Sequence, residues 1–157
     1  MKIFNAISCR GFNICYGYAS PNEVVVHPNL LPDNTQNQFY LVDGSVNVSN
    51  GNVNYDLPLK QWKDLSEFKN DKILTYTVGS LGCSWVLILP SPNADEYVVS
   101  EVTDGTIPAS ENSFLLVTEG ENVTMNGKKL KQLNYVPITQ SINLITNNGK
   151  VHKFTKK

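Results

Sequence analysis

Two stretches of this chain are near copies of one another, and that repetition limits the fold more than any composition does. Asn37-Gln-Phe-Tyr-Leu-Val-Asp-Gly-Ser-Val-Asn-Val-Ser-Asn-Gly51 is echoed by Asn112-Ser-Phe-Leu-Leu-Val-Thr-Glu-Gly-Glu-Asn-Val-Thr-Met-Asn-Gly127. Each opens Asn-x-Phe and runs through four apolar positions, Phe39 to Val42 and Phe114 to Val117. Each then meets an acidic residue and glycine, Asp43-Gly44 and Glu119-Gly120, and continues through a valine-bearing polar segment to Asn-Gly. The second copy is one residue longer, and Thr118 reads as an insertion absorbed at a turn between strands. Both stretches therefore predict hairpins, with Asp43, Glu119 and Glu121 solvated at the turns.

The remaining punctuation agrees with antiparallel β structure. Asn50-Gly51, Asn126-Gly127 and Asn148-Gly149 are candidate two-residue hairpin turns, because both residue types tolerate positive φ. Ile3-Phe4 to Tyr18 reads as one or two strands broken by Gly11, and Val24-Val25-Val26 as a β-branched strand ending at His27-Pro28. Residues 29–38 read as a loop, and Gly79-Ser80-Leu81-Gly82 as a turn. Leu59, Trp62, Leu65 and Phe68 recur every third residue behind Asp56 and Pro58, which predicts one short helix near residues 58–68. Asp56 would cap it and Asn70-Asp71 end it. Pro90 and Pro92 mark a border between halves of about residues 24–90 and 97–154 within a single domain.

Composition excludes several function classes. Charged residues are 17% of the 157 and the net charge is -1, so the concentrated positive field of a general nucleic-acid surface is missing. Lys128-Lys129-x-Lys131 and the C-terminal lysines read as solvated. No run of about 18 apolar residues offers a membrane span. Asn5, Ser8, Cys9, Arg10 and Asn13 interrupt any signal-peptide core, so the chain is expected to stay in the cytoplasm. Cys9, Cys15 and Cys83 are odd in number and read as reduced thiols; only a turn at Gly11 would bring the first two together. Asn47-Val-Ser and Asn122-Val-Thr match the glycosylation pattern by chance on that reading.

The segments Phe39-Tyr-Leu-Val-Asp-Gly-Ser-Val and Phe114-Leu-Leu-Val-Thr-Glu-Gly-Glu resemble a strand and turn motif of the cupin superfamily. Leu133-Asn-Tyr-Val-Pro137-Ile-Thr-Gln140-Ser-Ile142-Asn is similar to the second motif of that family, where a proline precedes a histidine. The resemblance implies an all-β, antiparallel jelly-roll or cupin-like barrel built from two sequence-similar halves. It also implies where a metal would sit, and there the chain departs from the family. Metal-binding cupins hold the ion with histidines and a glutamate. The second half offers Thr106, Pro108, Asn112 and Gln140 instead, and the first half offers Asp33 and Asn37 with His27 upstream. No metal and no cofactor are therefore expected.

Candidate site residues follow from what remains. His27, with Tyr40 and Glu101 as partners, is the best candidate general base, by similarity to metal-free sugar-nucleotide epimerase cupins; Glu111, Asp33 and Tyr97 are further options. His152, in the lysine-rich tail, reads as exposed and inert. Cys83 lacks a neighbour to lower its pKa, so nucleophilic chemistry is not expected of it. Tyr40, Trp85 and Gln140 are candidates for lining a small-ligand pocket inside a barrel. The leading expectation is a non-catalytic binding or assembly module with a small-molecule ligand, forming a homodimer through strand edges and binding neither nucleic acid nor membrane. The alternatives are a metal-independent isomerase or epimerase acting on a small polar substrate, and a structural subunit of a virus particle or surface assembly.

Overall fold

The computed structural model describes residues 1–9, 11–28, 38–68, 71, 73–90 and 97–157. Asp33, Asn37, Asn70 and Pro92 lie outside them. The chain divides into two compact units, Met1–Ala94 and Asp95–Lys157. Among the described residues there is no α-helix, and none is long and apolar enough to cross a membrane.

In the first unit β1 (Lys2–Cys9) and β2 (Phe12–Ala19) form an antiparallel hairpin that turns at Gly11. The register places Cys15 opposite Ala6 and Cys9 opposite Phe12, so the turn does not pair the two cysteines. β3 (Val24–Pro28) follows, then a 12-residue β4 (Gln38–Ser49), β5 (Asn54–Asp56), β6 (Trp62–Asp64) and an 18-residue β7 (Ile73–Pro90). The two long strands organise this unit. The C-terminal arm of β7 pairs with β2 and with residues 38–44 of β4, while its N-terminal arm pairs with β3 and with residues 46–49 of β4.

The register between β4 and β7 breaks twice. Val42 is extra between Leu41 and Asp43, and Gly79 to Gly82 stand across from Ser45 alone. Asp43-Gly44 is thus a bulge within one strand rather than a hairpin turn, and bulges of this kind bend and twist a sheet. The bend brings Phe39 and Leu41 of one arm and Val46 and Val48 of the other into one core with Leu74, Val78, Cys83 and Trp85. Asp43 is exposed yet not merely solvated: its Oδ1 accepts a hydrogen bond from the Ser84 backbone N–H at 2.8 Å, a donor that the bulge takes out of the ladder.

The helix expected near residues 58–68 does not form. Lys60 takes a positive φ of 57° and donates its N–H to the Leu41 carbonyl, which no helix allows. Trp62 to Asp64 then pair with Tyr40 to Gln38, and only Ser66–Phe68 makes a 3₁₀ turn. The spacing of three in the sequence was a strand followed by a tight turn, which buries Leu65 and Phe68 and leaves Leu59 half exposed.

The second unit holds β8 (Tyr97–Val102), β9 (Gly105–Ile107), β10 (Ser113–Glu119), β11 (Val123–Met125), β12 (Lys128–Leu130), β13 (Tyr135–Pro137), β14 (Ile142–Ile145) and β15 (Lys150–Lys156). They form two four-stranded sheets, β13-β10-β15-β8 and β12-β11-β14-β9. Leu115, Val117 and Val151 of one sheet and Val123, Met125, Ile142 and Leu144 of the other make a common core. Here too the expected hairpin is something else. β10 pairs with β13 and β15, whereas β11 pairs with β12 and β14, so Glu119-Gly120 carries the chain from one sheet to the other. Thr118 is a bulge in β10, in the position before the acidic residue that Val42 holds in β4. It is therefore not an insertion relative to the first stretch, and Leu115, rather than Phe114, shares with Phe39 the face that looks into a core.

Candidate functional site

The bend in the first unit leaves a pocket of about 150 Å³ against its core, with the half-exposed Met1 and Ile3 among its walls. Cys15 and Phe39, Tyr76 and Cys83, Val25 and Trp85 contribute walls from four strands. Period-two alternation puts them there: Phe39 and Leu41, Trp85 and Cys83, and Tyr76 and Val78 share the concave face. Gly17 lies opposite Trp85 in the β2–β7 register and makes room for the indole, since a Cβ there would sit 2.5 Å from the ring edge and 2.6 Å from the Lys2 carbonyl. The Phe39 and Tyr76 rings stack with centroids 6.3 Å apart.

The two thiols and the phenol in the walls are all shifted toward their neutral forms. Burial pushes the Cys83 thiol up to about 11, against a weaker opposing pull from the Ala19 backbone, and the carboxylates of Asp43 and Glu23 add to the rise. Burial alone raises Cys15 and takes the Tyr76 phenol up to about 12. A thiol raised as far as that of Cys83 carries almost no thiolate near neutrality and is a poor nucleophile. Both cysteines are free. The cavity is thus an aromatic and aliphatic chamber with sulfur in its walls, suited to holding a compact apolar molecule by shape and dispersion.

The residues singled out in the sequence are scattered. Trp85 is a cavity wall. Tyr40, one position from Leu41, faces the opposite side of the sheet, where it is fully buried with its ring 5.2 Å from that of Trp62. The His27 backbone pairs with Leu74 in β3, and its side chain lies outside the described residues. Glu101, in the second unit, is exposed and accepts from Lys150 Nζ at 3.0 Å, and Tyr97 of that unit packs on Phe114. Gln140 borders a separate cleft in the second unit, with Met125, Lys128 and Thr139. Thr106 pairs with Asn143 at a sheet edge, and Asn112 sits in a turn with φ 57°. Among the described residues no group of three or more histidine, cysteine, aspartate or glutamate side chains is placed to hold a metal.

His152 corrects its sequence reading outright. It is 4% exposed, and its Nδ1 lies 2.7 Å from Thr118 Oγ1 across the β10–β15 pair, while Gln132 Nε2 donates to the Thr118 carbonyl at 2.7 Å. Burial lowers its pKa to about 4, outweighing the upward pull of Glu101 and Glu119; Lys150 adds to the fall. Alternation within Val151-His152-Lys153-Phe154 was the signal: His152 shares the buried outer face of β10 and β15 with Leu116 and Phe154.

No protein-family model matches the chain, and no curated protein matches its sequence. Solved structures do. HutD from Pseudomonas fluorescens superposes with a TM-score of 0.65 at 14% identity, covering 93% of this chain and 78% of that one. The conserved protein of unknown function PA5104 from Pseudomonas aeruginosa gives 0.64 at 12% identity, with 92% and 79% covered. The bacterial pirin YhhW from Escherichia coli, solved with nickel(II), gives 0.58 at 12% identity, with 91% and 80% covered. At such identities the likeness is one of fold, and the fold is the cupin-like jelly roll that the strand motifs resemble.

Proposed function

We propose that this chain is a non-catalytic binding module whose first unit takes a small apolar ligand between Phe39, Tyr76 and Trp85. The cavity carries this reading. Enclosed chambers of about 150 Å³ with aliphatic and aromatic walls hold benzene or xenon, and this more open pocket has a similar volume and similar walls, with Met1 and Ile3 exposed beside it. The general-base set of the epimerase alternative has weaker support: Tyr40 is packed against Trp62, and Glu101 is engaged by Lys150. Both tryptophans belong to the first unit, so Trp85 emission in a W62F background reports on the cavity. Titration with toluene should change that emission saturably, and V25F, which fills the chamber from β3, should abolish the response. A linear, unsaturable response in both proteins would remove the proposal.

An assembly role is a second reading, favoured by β3. Among the described residues this strand pairs with β7 alone, and its outer face shows Val24 at 58% exposure and Val26 at 63%, beside Ile73 at 58%. An apolar free edge of this kind invites strand pairing with a second copy. Native mass spectrometry should find a dimer that V24K/V26K converts to monomer; wild-type protein monomeric at high concentration would refute it.

A further inference from the structure

The second unit contains a cleft of about 190 Å³ with a different chemistry. Its floor is apolar and belongs to the core: Met125, Leu130 and Ile142 are buried, and Val136 is half-buried. Its rim is polar, with Lys128 on β12 and Thr139 and Gln140 after β13. Among the described residues none of these three side chains has a hydrogen-bond or ion-pair partner. Asn126, also on the rim, is committed, because its Oδ1 accepts from the Asn143 N–H at 2.8 Å and its Nδ2 donates to the Ser141 carbonyl at 3.4 Å. The Asn126-Gly127 turn and Asn126's ties to Ser141 and to Asn143 of β14 thus fix the root of β12, where Lys128 borders the cleft.

We propose that this cleft binds a small monocarboxylate with a short apolar body. One ammonium and no acidic group line it, so a single negative charge is the complement. The Gln140 amide and Thr139 hydroxyl supply further donors for a planar two-oxygen head, and the floor receives an apolar tail. The volume suits about six non-hydrogen atoms, the size of a benzene-holding cavity. The site lies wholly within the second unit, so it stands or falls separately from the first unit's chamber.

Butyrate and its neutral isostere butyramide are the probes, titrated into the ¹⁵N-labelled full chain. Butyrate should shift the backbone amides of Met125, Lys128 and Gln140 saturably in the millimolar range. Butyramide should bind about fivefold more weakly, the discrimination of one partly exposed charge. K128Q, at an exposed position that leaves the core intact, should weaken butyrate by about the same factor and erase the preference, and K128R should restore it. Absence of saturable shifts at these amides, or a butyrate preference that survives in K128Q, overturns the proposal.

Discussion

At the residue scale, the buried His152 ties stability to pH. Its folded pKa, about 4, lies below its unfolded value of 6.5, so the unfolded chain takes up the proton first. The contribution is intact above pH 6.5 and is lost as the pH falls toward 4, by roughly 3 kcal/mol across that window. Denaturant unfolding at pH 7 and pH 4.5 should show the difference, and H152Q should flatten it; equal slopes for the two proteins would rule out the histidine as its source. Gly17 is the other decisive residue. G17A puts a methyl into the Trp85 ring and should cost about 1–3 kcal/mol while shifting the tryptophan emission. Unchanged emission and stability would mean that the indole does not lie where the packing puts it.

At the element scale, the β11–β12 hairpin rests on its turn, with Asn126 at φ 52° and Gly127 at φ 79°. A Cβ on Gly127 meets nothing within 4 Å, so G127A isolates the conformational cost, which should be about 1 kcal/mol with G127N milder. A loss several times larger would mean that the position is packed. This turn was legible from two residues of sequence because its requirement is local. The stretch around Trp62 was not. A period of three fits a helix face, but Lys60 in the left-handed region and the pull of β4's free edge decided for a strand. The acidic-glycine corners were legible as bends only. Whether Asp43-Gly44 and Glu119-Gly120 close a hairpin, bulge within a strand or switch sheets depends on partners far along the chain.

At the scale of the whole molecule, the strand and turn motifs were enough to anticipate a cupin-like jelly roll, because alternation and turn chemistry are what that architecture asks of a sequence. The site was less legible. A one-residue register step separates Trp85, a cavity wall, from the face that holds Tyr40, and no motif states the register. The missing histidines carry an expectation about chemistry that an experiment can test. Added nickel or zinc should leave the melting temperature unchanged, since a ligand stabilises only what it binds; a rise that grows with metal concentration would reveal a donor set outside the groups described. The central claim, that the first unit is a chamber for a small apolar guest, is tested most directly by diffraction from crystals held under xenon. Xenon density among Phe39, Tyr76, Cys83 and Trp85, absent in V25F crystals, is the expected result, and an empty chamber in wild-type crystals at the same pressure would contradict it.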